Sequence, residues 1–111
     1  MAVTPKVIIP AKQAEAAETT QYTCPAATRM LLDKFTGCNT TGAAATLTAR
    51  IVTVGGAAGV ANTITSAKAV QPGETYSFPE LVGQVLQPGD FISTLASAVA
   101  ITIRCSGREV S

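Results

Sequence analysis

Apolar and polar residues alternate with a period of two along much of this chain, and glycine, proline or asparagine breaks the pattern at short intervals. Such alternation predicts strands with one buried and one half-solvated face. Thr46 to Val54 (TLTARIVTV) sets Leu47, Ala49 and Ile51 against Thr46, Thr48 and Arg50. Val99 to Cys105 (VAITIRC) sets Val99, Ile101, Ile103 and Cys105 against Ala100, Thr102 and Arg104. Thr63 to Val70, Thr75 to Phe78 and Asp90 to Ser97 read as further strands, and Gln21 to Cys24 as a short one stopped by Pro25. Arg29 to Asn39 divides into Leu31, Asp33 and Phe35 on one face and Met30, Leu32, Lys34, Thr36 and Cys38 on the other. Neither set is purely apolar, so the core-facing register stays open.

The breaks carry turn chemistry. Gln71-Pro72-Gly73-Glu74 and Gln87-Pro88-Gly89-Asp90 repeat one Pro-Gly turn, in which proline fixes φ and glycine supplies a positive φ. Gly55 to Asn62 is a flexible loop, Asn39 to Ala45 a turn, and Glu80 to Leu86 at most a single helical turn interrupted by Gly83. Residues 1–19 differ from the rest. They hold two prolines, the β-branched run Val7-Ile8-Ile9, and the small, polar stretch Ala11 to Thr20. They read as an extended N-terminal arm ordered on a neighbouring subunit, or as an edge strand at residues 5–9 followed by a loop. Residues 20–111 form the domain. The expected fold is all-β, a single antiparallel β-sandwich or jelly roll of seven to eight strands, with a small barrel as the alternative.

Composition narrows this picture. In 111 residues there is room for one ordinary domain. The 47% hydrophobic content supports a real core, and 5% aromatic content without Trp makes that core aliphatic. Charged residues are 14%, below the usual quarter, which favours a subunit whose surface is covered in an assembly. The net charge is +1 and Lys6, Lys12, Arg29, Lys34, Arg50, Lys68, Arg104 and Arg108 are scattered, unlike a nucleic-acid footprint. No apolar run reaches the roughly 18 residues of a membrane span, and no secretory leader is visible, so a protein made in the cytoplasm is expected. No nucleic acid, membrane or small-molecule substrate is expected as a partner.

Candidate chemistry is sparse. The chain has no His, which removes the commonest general base and metal ligand. Cys24, Cys38 and Cys105 read as free thiols, with a Cys38–Cys105 bond left open. Glu74 and Asp90 each follow a Pro-Gly turn and are placed at the same end of the sandwich, where they read as acids that accept a backbone N–H in their own turns. Gly55-Gly56-Ala57-Ala58-Gly59 lacks the Gly-Lys-Ser/Thr ending of a phosphate loop. Asn39-Thr40-Thr41 fits a glycosylation triplet with no leader to give it meaning. Arg104 and Arg108 are either solvated charges or contacts for an acidic partner. No catalytic, cofactor-binding or metal-binding residue is assigned, no cofactor is expected, and the chain is read as a non-enzyme.

The phrases Tyr22-Thr23-Cys24-Pro25-Ala26-Ala27-Thr28, Leu32-Asp33-Lys34-Phe35-Thr36, Asn39-Thr40-Thr41-Gly42-Ala43-Ala44, Gly73-Glu74-Thr75-Tyr76-Ser77-Phe78-Pro79-Glu80-Leu81-Val82-Gly83 and Ile103-Arg104-Cys105-Ser106-Gly107-Arg108-Glu109 follow one another in this order. The stretch from Tyr22 to Ser111 resembles small β-sandwich virion structural proteins of tailed bacteriophages. The resemblance implies a β-sandwich virion protein without enzymatic activity, and within that class the leading expectation is a capsid decoration (cement) protein that binds between major capsid proteins as a homotrimer on the phage head. A head–tail connector, collar or fibre-base protein is the alternative, as is a receptor-binding β-sandwich.

Overall fold

The computed structural model describes residues 2–111 and turns the alternating segments into nine strands. They are β1 (Val3–Gln13), β2 (Thr19–Thr23), β3 (Arg29–Asn39), β4 (Ala45–Val52), β5 (Thr63–Val70), β6 (Thr75–Tyr76), β7 (Val85–Leu86), β8 (Phe91–Ala96) and β9 (Ile101–Val110). One 3-10 turn, Val60–Asn62, precedes β5.

All pairings are antiparallel, and they nest. β4 pairs with β5, β3 with β6 and β7, β2 with β8, and β1 with β9. The chain is thus one long hairpin rolled into two sheets. Sheet I has the order β1-β9-β3-β6, with β7 also on β3, and sheet II has the order β2-β8-β4-β5. This is the jelly-roll order. The sixth of its usual eight strands is split into β6 and β7 by an excursion at residues 77–84, which drops Phe78 and Leu81 into the core.

Of the two readings of the N-terminal residues, the structure shows the edge strand, and it is longer than residues 5–9. β1 pairs with β9 from Val3 to Gln13. Ile8 and Ile9 are both buried although they are consecutive, because a bulge between Val7 and Ile9 resets the register. A second irregularity falls at Pro10, where a residue without an N–H does least harm.

A bulge also explains the unresolved register of Arg29–Asn39. Leu32 pairs with Gly107 and Lys34 with Ser106, so Asp33 is the extra residue. Met30 and Leu32 point inward before it, and Phe35, Gly37 and Asn39 after it. Gly37 is required there, since a Cβ would sit 2.9 Å from the Phe78 ring. Phe78 in turn meets Phe35 and Tyr76 edge-on, with centroids 5.2 and 4.8 Å away. Ile101, Ile103 and Cys105 face the core as the alternation predicts, whereas Val99 lies in the preceding turn and is exposed. From sheet II, Leu47, Ala49, Ile92 and Ala96 close the other side of the core.

Candidate functional site

The residues singled out by sequence fall into structural roles. Glu74 and Asp90 do not share an end. Glu74 lies beside Asn39 and Asp90 beside Cys24, at opposite ends of β3, because their two turns flank the split strand on either side. Eleven residues of β3 separate the ends by roughly 35 Å. Each carboxylate does accept a backbone N–H in its own turn, Gln71 to Glu74 at 2.8 Å and Gln87 to Asp90 at 3.0 Å. Asp90 also accepts the Val54 N–H at 3.0 Å and so ties the 53–62 loop to the same end.

The Cys38–Cys105 bond is not present, and all three cysteines are free. Cys105 sits opposite Phe35 and Cys38 opposite Thr102, three residues apart along β3 and therefore on opposite faces of sheet I. Burial, reinforced by Asp33, pushes the Cys105 thiol up to about 12, which leaves it protonated and inert. Asn39 is fully buried. Its amide donates to the Ala43 and Val70 carbonyls at 2.8 and 2.9 Å, and its oxygen accepts the Thr41 N–H at 2.9 Å. It braces the β3–β4 turn and offers no accessible acceptor for a sugar. The Gly55–Gly59 segment is held as a loop by Arg50, whose Nε donates to the Gly59 carbonyl at 3.0 Å.

What remains is surface, and the two sheets expose different surfaces. On the outer face of sheet II, Arg50 pairs with Glu18, which also accepts from the Ser93 hydroxyl. Arg50 Nε reaches Thr63 Oγ1 at 3.0 Å. Thr48 accepts the Ala67 N–H at 2.9 Å across a bulge in β5, where Ala67 takes a φ of +44°. Arg50, Glu18, Ser93, Thr48 and Thr63 thus answer one another on this face, and register adds Phe91 and Leu95 to it, both half-buried.

The outer face of sheet I does not close on itself. Register places Arg29, Leu31, Lys34 and Thr36 of β3, Arg104, Ser106 and Arg108 of β9, and Val3, Pro5 and Val7 of β1 on it, with Val85 of β7 at the rim. Val3, Val7 and Val85 are 54%, 45% and 44% exposed. Arg108 holds Asp33 through Nε and Nη2 at 3.0 Å each, and the carboxylate raises the guanidinium pKa further. Among the described residues, Arg29, Lys34 and Arg104 have no carboxylate within 4.0 Å. Arg29 bonds only the neutral Gln87 side chain, at 3.3 Å.

Two clefts open on this face. One of about 690 Å³ lies at its end, between Ala27–Arg29 and Gln87–Pro88 beside Val110. The other, about 360 Å³, runs between Pro5–Val7 and Asp33 over Ser106 and Gly107. Sequence reasoning weighed Arg104 and Arg108 as contacts for an acidic partner but missed their union with Arg29 and Lys34. The one available signal was the odd-even register of β3 and β9, and the bulge at Asp33 hid it.

Among the described residues no helix is long and apolar enough to cross a membrane, and no three Cys, Asp or Glu side chains gather as a metal site. Comparison with protein-family models, curated proteins and solved structures finds no match.

Proposed function

We propose that the protein is a virion structural subunit of a tailed phage, a capsid decoration (cement) protein that binds between major capsid proteins. The observation that carries this reading is the asymmetry of the jelly roll, with one outer face satisfied internally and the other left aliphatic and cationic. A free monomer gains nothing from exposed valines beside unpaired cations, whereas a subunit covered in an assembly buries both. The phrase resemblance from Tyr22 to Ser111 and the low charge content support the same reading. The copies assemble in the host cytoplasm and remain on the head surface as homotrimers.

Quantitative mass spectrometry of purified particles tests it. Decoration requires hundreds of copies per particle. A count of about a dozen overturns decoration and favours a connector or collar ring. Absence from the particle overturns the virion reading. Native mass spectrometry of the isolated protein checks the trimer.

A further inference from the structure

We propose that the outer face of sheet I docks on a carboxylate-bearing protein surface, with Arg29, Lys34 and Arg104 meeting acidic side chains and Val7, Leu31 and Val85 filling the apolar contact between them. The proposal deepens the docking reading above by naming the face and the chemistry of its partner.

Charge distribution comes first. Of the eight Lys and Arg in the chain, four (Arg29, Lys34, Arg104 and Arg108) lie on this one face against a single acid, Asp33. The other six acids share the remainder of the molecule with the other four cations. A nearly neutral protein therefore presents one cationic face, and its complement is anionic.

A second copy does not supply that complement. Face-to-face pairing sets like charges against each other. Elsewhere on the chain, Glu15, Glu18 and Glu109 are already paired with Lys12, Arg50 and Lys6. Asp90 is buried, Glu74 accepts its own turn N–H, and Glu80 accepts the Thr65 and Tyr76 hydroxyls.

A phosphate backbone fits poorly too. It offers no apolar surface to Val7, Leu31 and Val85, and it meets the Asp33 carboxylate in the middle of the face. A protein surface with carboxylates around aliphatic side chains matches both components. Burying the exposed aliphatics contributes about 25 cal/mol per Å² of apolar area before association costs.

Contact is through the face rather than the strand edge. Ala2 and Ser111 exchange both backbone hydrogen bonds, at 2.9 and 3.0 Å, which fixes the parity of the β1–β9 ladder. Val3, Pro5 and Val7 accordingly turn their nitrogens away from β9. Pro5 has no N–H to offer there, so the outer edge of β1 is blunted as a template for strand addition.

The test is an amide-resolved NMR titration of the full chain with poly-L-glutamate and with a Glu/Leu copolymer at low salt, with a DNA duplex as a separate arm. Shifts are expected on the outward residues of β1, β3, β7 and β9, with the copolymer bound more tightly than poly-L-glutamate. K34E/R104E is expected to weaken binding about tenfold or more, with K34Q/R104Q between it and the wild type. V7T/V85T is expected to abolish the preference for the copolymer. Shifts confined to sheet II, unchanged affinity in K34E/R104E, or tighter binding of the duplex at equal salt would each overturn the proposal. The wild-type shift map decides even where a variant fails to fold. No particle enters this experiment. A failed titration beside a high copy number sinks the face alone, and a successful one beside an empty particle count sinks the virion reading alone.

Discussion

The outer faces of the two sheets are built from similar material and end in different states. Both carry threonine, serine, an arginine and short aliphatic side chains on alternating positions. On sheet II the arginine, Arg50, is met by Glu18 from the β1–β2 connection and by the loop it ties down. On sheet I, among the described residues, only Arg108 finds a carboxylate, and three more cations stand among exposed valines. The difference comes from the connections. A carboxylate is delivered over sheet II by a segment that crosses from the other sheet, and none is delivered over sheet I. Internal satisfaction makes a stable surface, and its absence leaves a surface with free energy to gain from a partner.

The largest perturbation acts on the joint beneath sheet I. A Cβ at Gly107 would lie 2.0 Å from the Leu31 carbonyl oxygen and 2.7 Å from Ile8 Cδ1. Backbone cannot yield there, so Gly107→Val is expected to destabilise by about 3 kcal/mol or more in chemical denaturation. At Gly42 a Cβ meets nothing within 4 Å, and Gly42→Ala serves as the control. A Gly107→Val protein as stable as its parent would show that sheet I is not packed as described.

Alkali acts next, on the layer between the two faces. Burial, with Cys24 adding a smaller effect, pushes Tyr22 from 10.0 up to about 12, and Cys105 rises from 9.0 to about 12. Both groups hold their protons in the folded state at pH values where the unfolded chain loses them. Their contribution is complete below about pH 9 and is lost as pH climbs towards 12. Melting temperature is expected to fall across that window, and a flat profile would contradict the burial of both groups.

Smaller effects separate the faces directly. Glu18→Gln removes the partner of Arg50, whose side chain is only 15% exposed, and is expected to cost about 1 kcal/mol. Asp33→Asn breaks the exposed Arg108 pair on sheet I and is expected to leave the melting temperature unchanged. K34Q/R104Q is likewise expected to leave stability untouched, because neither cation has a carboxylate to lose. Equal effects of Glu18→Gln and Asp33→Asn would erase the contrast between the faces.

Much of this architecture was legible in the chain. The rows Leu47–Ala49 and Ile101–Ile103–Cys105 needed no long-range information, because they follow simple alternation, although Val54 and Val99, read into the same strands, lie just outside them and are exposed. The Pro-Gly turns and their following acids were legible for the same local reason. β3 was not, since a single inserted residue, Asp33, switches which face is apolar halfway along it. The placement of β1 was not either, because its partner lies at the opposite end of the sequence and nothing near Val7 encodes it. The cationic face stayed hidden on both counts. Arg29 and Lys34 are far from Arg104 and Arg108 in sequence, and only the bulged register brings them to one side.

The nesting of first strand on last also governs how the chain reaches this state. Of the nested pairs, β4 and β5 have the shortest stretch between them, residues 53–62, so their hairpin closes with the least loss of chain entropy. Each outer pair then spans a longer loop, and β1 with β9 encloses nearly the whole sequence. Topologies of this kind refold in milliseconds to seconds rather than microseconds. The seam between β1 and β9 is expected to zip last, leaving the edge of β9 briefly open to a neighbouring chain. Stopped-flow refolding checks this: a microsecond phase that already protects the β1 amides would mean the roll closes from its rim, not its centre.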